Sequence, residues 1–200
     1  MAHDPARTRE RLLSAAVDEF SAHGYAGARI ERISDVAGVN RERLYSYFGN
    51  KRGLLEAVLV ERLATALDAA PVRGSGPEAV AAFASDFFDA CVTAPDLARL
   101  VAWEGLELLE PVDLGRRRER ARRKVEELRT AVPEMTRVQV EELLLTVVTL
   151  CYGWVVEPHL NETITSDAVD AAQRRTTIAQ TAAALARVHA SGVRRDAGPG

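Results

Sequence analysis

Glycines at 24, 38 and 49 cut the first fifty residues into helical pieces too short to stand alone, and this spacing constrains the fold most. Asp4-Pro5 supplies an N-cap followed by a proline at the first helical position. Leu12, Leu13, Ala16, Val17 and Phe20 then fall on one helical face. His23-Gly24-Tyr25 ends that helix, since Gly24 tolerates the left-handed position and Tyr25 can fold back. A second helix is predicted over 30–37, with Ile30, Ile33 and Ala37 on one side, and Gly38 breaks it. Asn40 is a natural N-cap for a third over 41–48, where Leu44 and Phe48 point inward. Asn50 can cap a fourth, running from Lys51 to about Ala70. Helices of two turns are unstable alone in water, so these pieces must pack on one another.

The rest of the chain also reads as helix. Pro71–Pro77 holds two prolines and two glycines and is the clearest linker. Helical periodicity follows over 78–93, 95–109, 114–131 and 136–156, and then from a Ser166 cap to about Ala190. The 136–156 segment is apolar nearly all round and needs cover on more than one side. Aromatics make up only 6% of residues and strand-like alternation is scarce, so the expected class is all-α, about nine helices. The expected domains are a helix-turn-helix head at 6–66 and a helical body at 77–190. Residues 191–200 read as a disordered tail.

Several functions lack a sequence basis. Cys91 and Cys151 make no disulfide framework and read as small buried hydrophobes. The four histidines show no metal-ligand spacing, and no phosphate loop or nucleophile elbow occurs. The expectation is therefore no enzyme, no cofactor and no metal. The apolar run Leu143–Val156 is interrupted by Thr146 and Thr149 and is too short for a bilayer, and no apolar leader begins the chain. A cytoplasmic, nucleoid-associated protein without a membrane role is expected.

Charge distribution and helix geometry point toward DNA. Residues 1–55 carry nine Lys/Arg against seven Asp/Glu, while residues 56–200 carry seventeen against twenty-two. A slightly basic head on an acidic body suits a DNA-binding domain joined to one that does not bind DNA. In a helix-turn-helix over 29–48, the second helix presents its outer side to the major groove. Arg41, Glu42, Arg43 and Ser46 would face outward there, with Tyr45 and Tyr47 on the flanks. Arg can pair bidentately with guanine, and Tyr hydroxyls and Lys51 suit phosphates.

These residues also carry a resemblance. Gly24-Tyr25, Ile30 and Ile33, Ala37-Gly38-Val39-Asn40, Leu44-Tyr45, Tyr47-Phe48, Lys51 and Leu54-Leu55 stand at the spacing of the N-terminal signature of TetR-type (TetR/AcrR family) repressors. The similarity covers about residues 6–66. It implies an all-α homodimer on a palindromic double-stranded operator, joined through its last two helices. It also implies release by a small-molecule inducer bound in the body. Carried over by position, Asn40, Arg41, Arg43, Tyr45, Tyr47 and Lys51 would contact DNA. Ala28-Arg29 departs from the family's usual Thr-Thr, so the customary Thr cap is absent, and Arg29 would be a substitute phosphate contact. Arg43 stands where a small residue is common.

In the body, Phe83, Phe87, Trp103, Glu107, Thr149 and Tyr152 are the expected lining of a pocket for a hydrophobic effector. The basic run Arg116–Lys124 reads mainly as a solvated helix face paired with Asp113, Glu119, Glu126 and Glu127. Alternative readings are a regulator, activator or repressor, without a small-molecule inducer, and a helical enzyme carrying a head of this shape.

Overall fold

The computed structural model describes residues 4–63, 67–166 and 168–196, with the backbone alone for 190–196. Ten α-helices and no strand occur among the described residues. They are α1 (Pro5–Gly27), α2 (Ile30–Ala37), α3 (Arg41–Phe48), α4 (Lys51–Leu63), α5 (Gly76–Thr93), α6 (Pro95–Glu107), α7 (Leu114–Ala131), α8 (Arg137–Val156), α9 (Pro158–Ile164) and α10 (Ala171–Asp196). Two compact units form: one holds α1–α4 and α6, the other α5 and α7–α10. Placing the division at the Pro71–Pro77 linker puts α6 with the C-terminal helices, whereas its contacts put it with the first unit.

The first unit is built on α1. The Asp4 carboxylate accepts from the amides of Ala6 (2.9 Å) and Arg7 (3.4 Å), so the capping signal acts as read. Leu12, Ala16 and Phe20 are fully buried and pack with Ile33, Leu44, Leu54 and Leu100. Gly24 turns the backbone out of the helix (φ 66°, ψ −177°), and Tyr25–Gly27 make one further turn. The turn into α4 is tight: a Cβ at Gly53 would stand 2.2 Å from the Phe48 carbonyl oxygen. The Asn50 side chain caps this helix by accepting from the Gly53 amide (2.9 Å).

In the second unit, Val80, Phe83, Phe87 and Phe88 of α5 meet Leu128 of α7, Leu143 and Val147 of α8, and Ile178, Ala182 and Ala186 of α10. The alanines of α10 let it approach α5 closely. Arg175–Asp89 (2.8 Å) and Arg187–Glu78 (3.0 Å) tie the same two helices at the surface. α8 has the length and mean hydropathy (1.3) that a membrane span needs. Its Val140, Leu143, Val147 and Cys151 are nonetheless committed to the core, while Val138 and Leu145 are exposed.

Several boundaries differ from the sequence expectation. α4 stops at Leu63 rather than near Ala70. α8 ends before Pro158 as expected, but Pro158 also occupies the first turn of α9, a helix the sequence reading lacks. Asp170, not Ser166, caps α10, accepting from the Gln173 amide (2.8 Å). α10 runs to Asp196, through most of the expected tail, because one Gly among helix formers costs only about 1 kcal/mol. Residues 197–200 of that tail lie outside the described residues.

Candidate nucleic-acid interface

The α2–turn–α3 segment is assembled from local and distant contacts. Gly38 takes the left-handed conformation (φ 61°), and the Gly38 and Val39 amides return to the Asp35 (3.1 Å) and Ser34 (3.0 Å) carbonyls. Leu44 is fully buried and anchors α3. The Asn40 side chain accepts from the Arg43 amide (2.9 Å), so part of this expected DNA contact serves as a helix cap. Asn40→Ala is expected to lose about 1 kcal/mol of head stability, read as a lower urea midpoint.

Two contacts from α1 hold the motif and a third, from α6, braces α1 itself; sequence reasoning missed all of them. First, the Arg11 guanidinium on α1 donates to the Ala37 carbonyl, adding a cation at the C-terminus of α2. Second, the side chain of Arg29 makes no cap bond for α2. Glu19 serves instead, accepting from the Arg29 amide (2.7 Å) and from Arg32 Nε (2.8 Å) and Nη2 (2.5 Å). Glu19 is buried, which pushes its pKa up, but the Arg32 and Arg29 hydrogen bonds outweigh burial and hold it below the usual range. Third, α6 docks on the break in α1. Trp103 Nε1 donates to the Ser21 carbonyl (3.3 Å), and the Glu107 carboxylate accepts from the amides of Tyr25 and Ala26. The signals were present but faint, since a carboxylate or an arginine on an amphipathic helix usually faces water.

The expected DNA contacts are not equivalent. Tyr45 is exposed, and its ring stands clear of the core. Arg29 is also exposed. The side chain of Arg43 is partly exposed and makes no hydrogen bond or ion pair among the described residues. Arg41 pairs with Glu31 of α2 (2.6 Å), and the Glu31 carboxyl is held low by its own amide and by Arg41. The Tyr47 hydroxyl donates to the Pro5 carbonyl (3.2 Å). Lys51 donates to the Ala26 carbonyl (3.4 Å), and its ammonium stands 4.9 Å from the Tyr25 ring centroid.

The expected effector lining divides. Phe83, Phe87 and Tyr152 come together in the second unit, with ring centroids 6.1 Å and 6.0 Å apart in sequence. Phe83 and Phe87 are buried as core, and burial raises the Tyr152 hydroxyl pKa well above its usual value. Thr149 is exposed and gives its hydroxyl to the Leu145 carbonyl (2.8 Å). Trp103 and Glu107 are spent on the α1 contacts above, because the Gly24 break leaves backbone groups needing partners. An open groove of about 370 Å³ is lined by Trp154, Asn161, Thr165 and Val169. Cys91 and Cys151 are buried free thiols, and burial pushes both up to about 12. Lys124, in the basic run, is buried, donating to the Ala70 carbonyl (3.0 Å) and Glu127 (2.5 Å).

A family model for bacterial regulatory proteins of the tetR family matches residues 12–58. One for the tetracyclin repressor-like C-terminal domain matches residues 79–184. The chain is 39% identical over 106 residues to the HTH-type transcriptional repressor SCO4008 of Streptomyces coelicolor, covering 53% of this chain and 54% of that protein. It is 49% identical over 53 residues to the HTH-type transcriptional repressor NicS of Pseudomonas putida, covering 26% and 25% respectively. The match thus spans about half of the first relative and a quarter of the second. Among solved structures, the proposed transcriptional regulator SCO4942 from Streptomyces coelicolor superposes with a TM-score of 0.74 at 27% identity, covering 89% of this chain and 97% of that one. A tetR-family regulator from the same organism gives a TM-score of 0.73 at 18% identity, over 96% and 89%.

Proposed function

Because the chain belongs to the tetR family of bacterial regulatory proteins, we propose that it is a homodimeric repressor that binds a palindromic DNA operator and leaves it when a small molecule binds. The observation carrying this reading is α3 itself. It is capped by Asn40 and anchored by Leu44, with Arg43 uncommitted and Tyr45 exposed. An α-helix so mounted fits the major groove, and one Arg side chain suffices for bidentate guanine readout. Lys51 and Arg29 supply phosphate contacts beside it.

Dimerisation through α8 and α10 is supported by the apolar side chains left exposed there, Val138, Leu145 and Val188. A two-fold dimer presents two α3 helices and reads two half-sites a helical turn or a multiple apart. The effector reading rests on the match to the repressor-like C-terminal domain, whose matched segment holds the aromatic cluster of Phe83, Phe87 and Tyr152. The relatives' names support repression over activation.

The test is selection of duplexes from random DNA by the full chain, followed by footprinting. An inverted repeat protected by two copies of the chain is expected. Enrichment of no duplex at low salt would sink the DNA reading, and a single unpaired half-site would sink the dimer.

A further inference from the structure

Gly24 breaks the helical hydrogen bonds that span it in α1, among them the one between Tyr25 and Ser21. In an unbroken helix the Tyr25 amide would donate to the Ser21 carbonyl. With Gly24 at ψ −177°, that amide points elsewhere, and both groups lose their partner. Two residues of α6, four apart and therefore on one face, take them over. Trp103 Nε1 donates to the Ser21 carbonyl (3.3 Å), and the Glu107 carboxylate accepts from the Tyr25 amide and from Ala26 (3.3 Å). The indole also closes over Gly24, where a Cβ would meet its ring at 2.8 Å.

The repaired break supports the expected DNA contacts. The Tyr25 ring stacks on Phe20 (centroids 6.5 Å apart, 19° between planes), and the Lys51 ammonium stands 4.9 Å from its centroid. Lys51 also donates to the Ala26 carbonyl, within the turn that Glu107 fastens. α6 is itself tied down: Asp96 pairs with Arg62 of α4 (3.0 Å), and Glu104 accepts from the Val112 amide (2.7 Å). The space enclosed by Phe20, Tyr25, Leu100, Trp103 and Glu107 is a cavity of about 10 Å³, enough for at most about one water. A joint packed this tightly passes a change at α6 directly to Tyr25.

We propose that Trp103 and Glu107 are positioning residues for DNA binding: they replace the Tyr25-to-Ser21 hydrogen bond broken at Gly24 and thereby hold Tyr25, and through it Lys51, in place for a phosphate. This rests on the DNA-binding reading above. Neither residue is among the expected DNA contacts. Both lie outside the 12–58 segment matched by the N-terminal family model.

The experiment uses the full chain and a duplex that the wild type enriches from random DNA, with affinity measured by fluorescence anisotropy across a salt series. Glu107→Leu is expected to weaken binding about tenfold, the loss of one charge-assisted contact. It should also make the salt slope shallower by about one per bound chain, as when one phosphate contact is lost. Glu107→Gln, which keeps one acceptor, and Trp103→Phe, which keeps the ring, should each weaken binding only about threefold. In a Lys51→Met background the Glu107→Leu effect should shrink below about twofold, because the lysine it positions is gone. If far-UV circular dichroism shows Glu107→Leu unfolded, Glu107→Gln is taken through the same cycle. Wild-type affinity and slope in the Glu107 and Trp103 variants would overturn the proposal. So would an undiminished effect in the Lys51→Met background, which marks a merely structural role. If the wild type enriches no duplex, it is the DNA reading that fails.

Discussion

Replacing Glu19 by Gln is expected to cost about 2 kcal/mol of stability in the first unit, with weaker DNA binding alongside. One buried carboxylate there receives the Arg29 amide at the start of α2 and two donors of Arg32. Glutamine keeps one acceptor oxygen, so at least one donor loses its partner, and the remaining bonds lose their charge assistance. Arg32 is partly exposed, so water relieves it and the cost stays well below that of a fully buried broken pair. The Arg29 amide has no such relief beyond what the α2 terminus allows. The effect is also pH-dependent. The folded state holds the Glu19 carboxyl below its ordinary value, and so favours the ionised form. Its contribution is complete above the unfolded carboxyl pKa of about 4.3 and is lost as pH falls through the lower folded value. Wild type and Glu19→Gln should therefore differ most near neutral pH and draw together as pH falls below the unfolded carboxyl value and through the folded one. The chain has two tryptophans, so Trp103 fluorescence in a Trp154→Phe background reports urea unfolding of the first unit alone. Equal midpoints at pH 7 would remove Glu19 from its capping role.

Glu19 also marks where the sequence stops being legible. Signals acting within one helical turn were readable: Asp4-Pro5 starting α1, Gly38 ending α2, Asn40 capping α3 and Leu44 facing in. Each is fixed by backbone sterics, by a partner two or three residues away, or by the helical repeat. Contacts between residues distant in sequence were not readable. Glu19 reaches Arg29 and Arg32, Arg11 reaches Ala37, and Glu107 reaches Tyr25 across about eighty residues. On its own helix each looks like an ordinary polar surface position. Glu107 and Trp103 looked like pocket residues for the same reason: apolar periodicity says a side chain is inside, not what it faces. The misread C-terminal boundaries are different in kind. Pro158 both stops one helix and fits the first turn of the next, and Ser166 and Asp170 are both competent caps. Only where the following helix begins to bury its side chains decides between them.

Arg43→Ala is expected to weaken binding to the enriched duplex by about 1–3 kcal/mol, roughly five- to 150-fold, and to relax selection at one base position in each half-site. Its neighbour Arg41 is drawn to Glu31, so DNA must compete with that carboxylate for it. Arg43 has no such competitor, and its backbone amide is fixed by the Asn40 cap, which sets the direction in which its side chain leaves α3. A guanidinium that is partly shielded and unpaired gives up less on entering a groove than one in an ion pair. Tyr45 supplies the contrast. It is exposed on the same short helix but offers one hydroxyl suited to a phosphate, so Tyr45→Phe should weaken all duplexes alike, by about 1 kcal/mol. Repeating the selection from random DNA with each variant separates the two roles. Arg43→Ala should return a degenerate base where the wild type returned guanine, while Tyr45→Phe should return the wild-type sequence at lower yield. If the Arg43→Ala pool matches the wild-type pool base for base and the affinities agree, guanine is read by another side chain. Arg41, released from Glu31 on binding, is then the residue to substitute next.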